Sequence, residues 1–175
     1  MAVKIYREKQ LQFSFPSNLL WEELDQQDVK LPNGMSLVDI VIERDKDILL
    51  VEIKDPSNTN TPPKEQGHYL KRLQGDSLIT QELTPKIRDS YTYLHLMNRD
   101  KKPIIYIVLL GLEAFNLSIQ KELMSTFKDR LLKNISCETD IPWKRKYIKD
   151  CIVMSIEGWN GIFKEWPVQR MEKAI

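Results

Sequence analysis

The segment Ser36-Leu-Val-Asp-Ile-Val-Ile-Glu-Arg-Asp-Lys-Asp-Ile-Leu-Leu-Val-Glu-Ile-Lys54 is the most informative part of this chain, because it has the pattern of two β-strands joined by a tight turn. Two apolar runs, Leu37–Ile42 and Ile48–Ile53, flank the polar residues Arg44–Asp47. A short polar break between apolar runs is typical of a hairpin. A symmetric turn centred on the four polar residues makes the numbers of paired residues sum to 91. The sequence therefore predicts an antiparallel hairpin of defined register.

This register places three charged side chains on one face of the hairpin. Asp39 lies directly opposite Glu52, and directly paired side chains have Cβ atoms about 4.5–5.5 Å apart. Lys54 joins them, because residues two apart on a strand point to the same side. The other face is apolar and consists of Val38, Ile40 and Ile42 against Leu49, Val51 and Ile53. We therefore expect one face to enter the core and the other to carry a charged cluster.

The chemistry of this cluster favours a metal site. Two neighbouring carboxylates repel each other, and burial raises the free-energy cost of their charges. A hard divalent cation removes this conflict, since Mg²⁺ or Mn²⁺ binds one or two carboxylates together with water. The Lys54 ammonium can then stabilise a developing oxyanion or orient a water molecule. These are the parts of a metal-dependent phosphodiesterase site. A solvated ion-pair cluster at a sheet edge is the alternative interpretation.

The spacing of these residues resembles a known motif. Asp39, with Glu52-Ile53-Lys54 beginning thirteen positions later, is similar to the motif of the PD-(D/E)XK nuclease superfamily, which includes restriction endonucleases, Holliday-junction resolvases and transposon-end nucleases. Val38 stands where the superfamily has a proline. The resemblance extends over about the first 115 residues. It implies an α/β fold with a restriction-endonuclease-like mixed sheet flanked by helices, in which an α-β-β-β-α-β core precedes a C-terminal helix and strand. It also implies that Asp39, Glu52 and the backbone carbonyl of Ile53 bind the metal.

The segment before the hairpin predicts a helix over Asn18–Gln27. Its buried stripe would consist of Leu20, Trp21 and Leu24. Glu23 flanks that stripe, whereas Glu22 points nearly opposite to it. Because the superfamily often places a glutamate of its first helix beside the metal, Glu23 is the candidate fourth metal ligand and Glu22 the reserve. A solvated carboxylate is the alternative for either residue. A short strand, Val29–Leu31, and a turn at Pro32–Gly34 lead into the hairpin.

The segment after the hairpin predicts a loop followed by helices. Asp55–Pro63 is poor in apolar residues and rich in turn formers, so we expect a mobile surface loop beside the site, or else a solvated connector without a role. Residues 64–100 have a mainly helical pattern, with a break at Gly75. A helix here would cover the catalytic sheet. Lys86 and Arg88 on that helix are candidate phosphate-binding residues, although basic residues on helices are usually solvated.

The last third of the chain adds a buried strand, a helix and an edge strand. Pro103–Gly111 is a nearly continuous apolar run and predicts a strand buried on both faces. Ser118–Leu132 has helical spacing, and Cys151–Ile156 is a candidate last strand at the far side of the sheet. The tail from Gly158 to Pro167 contains the aromatic residues Trp159, Phe163 and Trp166. We expect these rings to pack in the core rather than to stack on bases.

Length and composition, with 42% hydrophobic residues, indicate a single globular α/β domain over residues 1–175. The resemblance implies that this domain is nuclease-like. No segment has the length and hydropathy of a membrane span, and the N-terminus lacks the apolar core of a signal peptide. Cys137 and Cys151 fit neither a disulfide framework nor a metal finger. We therefore expect a cytoplasmic protein that does not bind membranes. Without a G-x-S-x-G motif or a P-loop, triad hydrolases and nucleoside triphosphatases have no support.

Charge is distributed unevenly along the chain. The net charge is only +1, but residues 1–63 carry −4 and the remaining 112 residues carry +5. The densest basic cluster is Lys144–Lys146 with Lys149, and such local patches make the phosphate contacts of nucleic-acid-binding proteins. We therefore expect the chain alone to bind nucleic acid with modest affinity. A homodimer or a partner protein would strengthen this binding.

The sequence therefore predicts a Mg²⁺- or Mn²⁺-dependent nuclease acting on DNA, with RNA as an open alternative substrate. Asp39 and Glu52 would bind the metal, and Lys54 would aid the attack of water on the phosphate. The alternative function is a non-catalytic nucleic-acid-binding or scaffold subunit that has a nuclease-like fold. The intact set of two carboxylates and one lysine favours the enzyme.

Overall fold

The hairpin around residues 44–47 is present in the computed structural model of the chain. Ile40 pairs with Val51, so the numbers of paired residues sum to 91 as predicted. The Arg44 amide donates to the Asp47 carbonyl at 2.9 Å. The Arg44 guanidinium also donates to both carboxylate oxygens of Asp47, at 2.6 and 2.7 Å. These contacts close the turn and fix the register of the two strands.

The structure describes residues 2–26, 28, 30–140 and 142–171, and this part of the chain is a mixed α/β fold with two sheets. The strands are β1 (Val3–Glu8), β2 (Leu11–Pro16), β3 (Leu20–Glu23), β4 (Ile40–Glu43), β5 (Ile48–Lys54), β6 (Ile104–Leu110), β7 (Asp150–Ser155) and β8 (Val168–Arg170). The helices are α1 (Pro63–Gln74), α2 (Thr84–Leu96), α3 (Leu117–Ser136) and α4 (Ile156–Ile162), and a π-helical turn, Ile79–Leu83, directly precedes α2.

The larger sheet is mixed and has the strand order β3-β4-β5-β6-β7, whereas the smaller sheet is antiparallel and has the order β1-β2-β8. Strands β3, β4 and β5 are antiparallel neighbours, and β5, β6 and β7 are parallel. The alternation of side chains along a strand gives the larger sheet two buried faces. Helices α1 to α3 cover one face, where Val41 and Leu50 are buried. The smaller sheet and α4 cover the other face, where Ile40 and Leu49 are buried.

Val38 is an exception to the predicted faces of the hairpin. Ile40, Ile42, Leu49, Val51 and Ile53 share one core as predicted, but Val38 lies in the core on the helix side. The reason is that β4 begins only at Ile40, so the alternation does not extend back to Val38. The Val38 amide instead donates to Ser90 Oγ of α2 at 2.9 Å. This hydrogen bond ties the start of the hairpin to α2.

The helix predicted over Asn18–Gln27 is wrong, because residues 20–23 form strand β3. This segment pairs with β4, and Trp21 lies opposite Ile42. Leu20, expected in a buried stripe, is 69% exposed. Trp21 packs against Phe15 of the smaller sheet, with ring centroids 4.8 Å apart. Strand pairing and this aromatic contact outweigh the weak helical preference of the segment.

The segment between β3 and β4 contains the predicted turn but not the predicted short strand. Lys30 and Leu31 are not in a strand, and Val29 lies outside the described residues. The Met35 amide donates to the Pro32 carbonyl at 3.0 Å, which closes the turn. Gly34 has φ +81°, a left-handed conformation that favours glycine. The α-β-β-β-α-β order is therefore replaced by an N-terminal hairpin, β1–β2, followed by β3, β4 and β5.

The later elements follow the sequence predictions closely. Strand β6 is almost entirely buried, α3 contains the predicted helix, and β7 is the edge strand beside β6. Helix α1 ends at Gln74, directly before Gly75, where a break was predicted. The aromatic tail packs as expected, since Trp159 is fully buried and Phe163 is 9% exposed. None of the helices in the described ranges is long and apolar enough to cross a membrane.

Candidate functional site

The C-terminal end of β5 carries the charged cluster. The structure places Asp39, Glu52 and Lys54 together on the helix side of the larger sheet. The Ile53 amide donates to Asp39 Oδ2 at 2.6 Å, which holds the Asp39 carboxylate against the end of β5. Lys54 Nζ lies 2.8 Å from Glu52 Oε1. Glu52 has no exposed surface and Asp39 is 9% exposed, so this is a buried cluster rather than a solvated one.

Lys86 of α2 completes the cluster by contacting several carboxylates at once. Its Nζ lies 3.0 Å from Glu52 Oε1 and 3.6 Å from Asp39 Oδ1. The same atom lies 3.2 Å from Asp25 Oδ2, just after β3. Carboxylates from three segments of the chain thus converge on one cation. Lys86 was predicted to bind phosphate, and the structure places it within the candidate site.

Helix α2 reaches this position because side chains near its middle bind the backbone that leads into β4. Asp89 Oδ2 accepts a hydrogen bond from the Ser36 amide at 3.0 Å, and Ser90 Oγ accepts one from the Val38 amide at 2.9 Å. These amides would otherwise be left without partners where the chain enters the core. The two bonds hold α2 beside the start of β4 and direct Lys86 towards Asp39.

A chain of ion pairs orients Lys54 from its other side. Lys54 Nζ lies 2.8 Å from Glu82 Oε2, and Glu82 Oε1 lies 2.6 Å from Arg72 Nη2. Glu82 belongs to the π-helical turn, in which the Thr84 amide donates to the Ile79 carbonyl. Such wide turns inside helical segments are frequently found at functional sites. Neither Glu82 nor Arg72 was predicted as a site residue.

The environment shifts the pKa values of the cluster. Burial, and then the negative charge of Asp39, raises the pKa of Glu52 to about 7. Burial also raises the pKa of Asp39, although Lys86 opposes this shift. Burial acts to lower the pKa of Lys54 and of Lys86, but the carboxylates beside them keep both pKa values above the ordinary one. Both lysines are therefore charged at neutral pH, where Glu52 is poised to exchange its proton.

Two open cavities meet at Asp39. The larger, of about 840 Å³, is lined by Asp39, Lys54 and Lys86 together with side chains of α1. The second, of about 710 Å³, is lined by Asp39, Asp25 and Glu23. Asp25, which was not predicted as a site residue, borders both cavities. A substrate in the larger cavity would therefore meet the charged cluster directly.

The two glutamates considered as a further metal ligand lie on different faces of β3. Glu23 lines the second cavity with Asp39 and is exposed. Glu22 points away from that cavity and pairs with Arg99 at 2.9 Å. Glu23 is therefore the one of the two that shares a cavity with Asp39, but it belongs to a strand and not to a helix, and its strand partner Ile40 faces the smaller sheet.

Arg88 does not share the position of Lys86. Its guanidinium pairs with Glu138 and Asp89, and it is not among the residues that line either cavity. The physical reason is helical geometry, since residues two apart on an α-helix point about 200° away from each other. The structure brings only Lys86 of this predicted pair to the site.

The prediction of a mobile surface loop at Asp55–Pro63 is wrong for residues 55–58, which are buried and tightly bound, whereas most of residues 59–63 are exposed, as predicted. The Asp55 side chain, which is 1% exposed, accepts hydrogen bonds from the Arg170 guanidinium at 2.7 and 3.0 Å. The Thr59 amide donates to Gln10 Oε1 at 2.8 Å. The segment is also packed against Gly111, where an added Cβ would lie 2.4 Å from Asp55 Oδ1. These contacts fix the end of β5 and therefore the position of Lys54.

The donor set of the cluster suits an ion that needs few protein ligands. In the described part of the chain, no group of three or more His, Cys, Asp or Glu side chains has the arrangement of a metal site. Magnesium commonly binds one or two carboxylates and completes its shell with water and phosphate oxygens. Asp39 and Glu52 fit that requirement once the Lys86 ammonium withdraws from their oxygens. No family model, curated protein or solved structure matches this chain.

Proposed function

We propose that this chain is a metal-dependent nuclease that cleaves DNA and has a restriction-endonuclease-like fold. One observation carries the proposal: the β4–β5 hairpin places Asp39, Glu52 and Lys54 together beside an open cavity of about 840 Å³. The mixed sheet, in which the hairpin is followed by helices and a parallel strand, supports the fold assignment. The strand at residues 20–23, in place of the expected first helix, is a departure from it.

Asp39 and Glu52, with the Ile53 carbonyl, would hold a Mg²⁺ or Mn²⁺ ion, with Glu23 as the candidate fourth ligand. The bound ion would supply Lewis acidity and a water of lower pKa. Lys54 is held by Glu52 and Glu82, and its ammonium can stabilise negative charge that develops on a phosphate. Lys86, once released from the carboxylates, carries a second positive charge into the same cavity and can bind a neighbouring phosphate oxygen.

The test is cleavage of labelled linear duplex, single-stranded, branched and RNA substrates in the presence of Mn²⁺. Lys54→Ala keeps both carboxylates, so it should retain metal binding and lose about 10²–10³ in rate. Asp39→Asn should lose both metal binding and cleavage. Lys121→Ala, on the exposed side of α3, is the matched control and should cleave as the wild type does. A Lys54→Ala variant that cleaves at the wild-type rate would show that any activity arises elsewhere.

A second candidate function, a non-catalytic nucleic-acid-binding or scaffold subunit, is favoured by the neutralisation of the two carboxylates. Lys54 and Lys86 already pair with Glu52, and Lys86 also pairs with Asp39. A lysine that permanently takes the place of a cation would make the cluster purely structural. Wild-type protein that binds one of the substrates but cleaves none of them would support this function over the enzyme.

A further inference from the structure

A second charged surface lies at the opposite end of the larger sheet. Residues 142–146 are exposed, and Trp143 presents 47% of its surface to solvent. The segment does not belong to a helix or strand, but it is anchored on both sides. The Trp143 amide donates to the Ser136 carbonyl at 3.0 Å, and the Lys149 amide donates to the Ile104 carbonyl at 2.7 Å. Ile148 is buried in the core on the helix side.

The basic side chains of this segment form one wall of a cleft of about 490 Å³. Its cationic lining consists of Lys102, Arg145, Lys146 and Lys149. Asp100 is the one carboxylate among the described residues that line it, and it already pairs with His95 at 2.6 Å. The cleft therefore has a strong excess of positive charge. The cavity at the candidate site differs, because its acidic and basic side chains nearly balance.

These cations are available to a ligand. Within the described ranges, Arg145, Lys146 and Lys149 form no ion pair with a carboxylate, and all three are exposed. Lys102 Nζ donates to the Arg44 carbonyl at 2.8 Å and pairs with no carboxylate of the described residues. By contrast, Lys54 and Lys86 of the candidate site are each paired with at least one carboxylate. Unpaired cations grouped along one cleft are the arrangement that binds successive phosphates.

An apolar recess adjoins the basic cleft. The recess has a volume of about 290 Å³ and is lined by Trp143, Tyr147 and Leu132. It shares Arg145 and Lys146 with the basic cleft. A groove of cations bordered by an exposed aromatic ring is typical of surfaces that bind single strands, where phosphates contact the cations and bases stack on the ring. In a duplex the bases are already stacked on each other and cannot use the ring.

We infer that this surface, formed by Lys102, Trp143, Arg145, Lys146 and Lys149, binds single-stranded nucleic acid. It is separate from the candidate active site, since Lys102 and Lys149 precede the starts of β6 and β7 whereas Lys54 ends β5. The seven residues of β5 span about 20 Å at a rise of about 3.3 Å per residue. Binding at this surface needs neither metal nor cleavage, so the inference stands independently of the proposed function.

Fluorescence anisotropy with a labelled single-stranded oligothymidylate, recorded in EDTA at low salt, tests this inference. The triple variant Arg145→Gln, Lys146→Gln, Lys149→Gln should bind at least about tenfold more weakly than the wild type. Each lost phosphate contact should also reduce the slope of log affinity against log salt by about 0.7, so the triple variant should lose about 2 from that slope. The matched control, Lys4→Gln, Lys121→Gln, Lys164→Gln, has the same change in charge at exposed positions elsewhere. Equal binding by the two triple variants, or no binding by the wild type, would overturn the inference.

Trp143 distinguishes a single strand from a duplex. Trp143→Ala should weaken binding of the single strand by about fivefold or more, which corresponds to the lower end of the free energy of base stacking on an aromatic side chain. Trp143→Phe should largely retain this binding. Neither variant should change binding of a duplex of the same length. If Trp143→Ala binds the single strand as tightly as the wild type, or if the duplex binds more tightly than the single strand, the surface does not have the proposed specificity. Failure of cleavage alone would leave these measurements unaffected.

Discussion

The Lys86 ammonium of α2 lies 3.0 Å from Oε1 of Glu52, a carboxylate with no exposed surface. It also lies 3.6 Å from Asp39 Oδ1, so a single cation bridges the two acidic residues of the hairpin. A buried charge is costly unless it is paired, and removal of one partner leaves the other uncompensated. The stability of the cluster therefore depends on Lys86, and a metal ion that binds the same oxygens must take its place.

Replacement of Lys86 by methionine should destabilise the protein. The variant keeps the length of the side chain but leaves Glu52 and Asp39 without their shared cation, and loss of one partner of a buried ion pair typically costs about 3–5 kcal/mol. Urea unfolding at pH 8 measures the effect, which should be smaller at pH 5.5, where Glu52 holds a proton. Lys64→Met on the exposed side of α1 is the control and should change little. Equal stability of Lys86→Met and wild type would mean that Lys86 does not compensate the buried charges.

The free energy of unfolding should fall as the pH rises through the range in which Glu52 titrates. In the folded protein burial raises the pKa of Glu52 from 4.5 to about 7, so the folded state binds this proton more tightly than the unfolded chain does. The contribution of Glu52 to the free energy of unfolding is complete below pH 4.5 and is lost as the pH approaches 7. The free energy of unfolding should therefore decrease by about 3 kcal/mol over this range. The raised pKa of Asp39 acts in the same direction. Glu82, whose pKa is lowered, loses its contribution only at more acidic pH.

Glu52→Gln isolates this effect, because it keeps the shape of the side chain and removes its titration. Urea unfolding of this variant in EDTA, between pH 5 and pH 8, should show a much flatter dependence than that of the wild type. Glu65→Gln, at an exposed position of α1, should reproduce the wild-type dependence. A wild-type protein whose stability rises with pH across this range would contradict the raised pKa of Glu52.

Millimolar Mg²⁺ or Mn²⁺ should raise the melting temperature of the wild type. An ion that binds only the folded state at one hundred times its dissociation constant adds about 2.7 kcal/mol of stability. Asp39→Asn should abolish most of this increase while still accepting the hydrogen bond from the Ile53 amide. Glu22→Gln, which alters a carboxylate paired with Arg99 outside the site, should respond as the wild type does. If neither ion shifts the melting temperature, the cluster is not a metal site.

Gly111→Ala should destabilise the protein, because the new methyl group has no space. Its Cβ would lie 2.4 Å from Asp55 Oδ1 and 2.9 Å from Arg170 Nη2, and such overpacking typically costs about 1–3 kcal/mol. Gly161→Ala is the matched control, since its Cβ would meet open space in α4, and it should change stability by less than about 1 kcal/mol. Thermal unfolding of both variants measures the difference. Equal melting temperatures would show that the Asp55–Arg170 pair is loosely held.

Local signals explain which parts of the fold could be predicted. The polar residues 44–47 set the register of the hairpin, and the apolar run of β6 indicated a buried strand, because both patterns depend on neighbouring residues. Residues 20–23 could not be assigned in this way, since their pairing with β4 and the contact of Trp21 with Phe15 are long-range. The hairpin of β1 and β2 was not predicted, although Leu11, Phe13 and Phe15 alternate with polar residues at strand period.

The candidate site likewise combines residues that a local pattern brings together with residues that only long-range packing brings together. Asp39, Glu52 and Lys54 lie within one hairpin, so their proximity followed from the register alone. Asp25 and Glu82 join them only through packing of distant elements, and no local pattern marks either residue as part of the cluster. Lys86 and Arg88 were grouped by their charge and their nearness in sequence, and the twist of the helix separates them.

The ion pair between Asp55 and Arg170 has a consequence for the order of folding. It joins residues 115 positions apart, and contacts that close such long loops form late, because their entropic cost must be met before they add stability. Asp55 directly follows Lys54, whose backbone already pairs with the end of β6, so the docking of β8 adds a late contact just beyond an end of β5 that β6 holds. The hairpin and its two carboxylates can form early, from residues close in sequence. Until β8 arrives, the Asp55 carboxylate lacks the Arg170 guanidinium that neutralises it, so the last step of folding completes the segment behind the site and not the charged cluster itself.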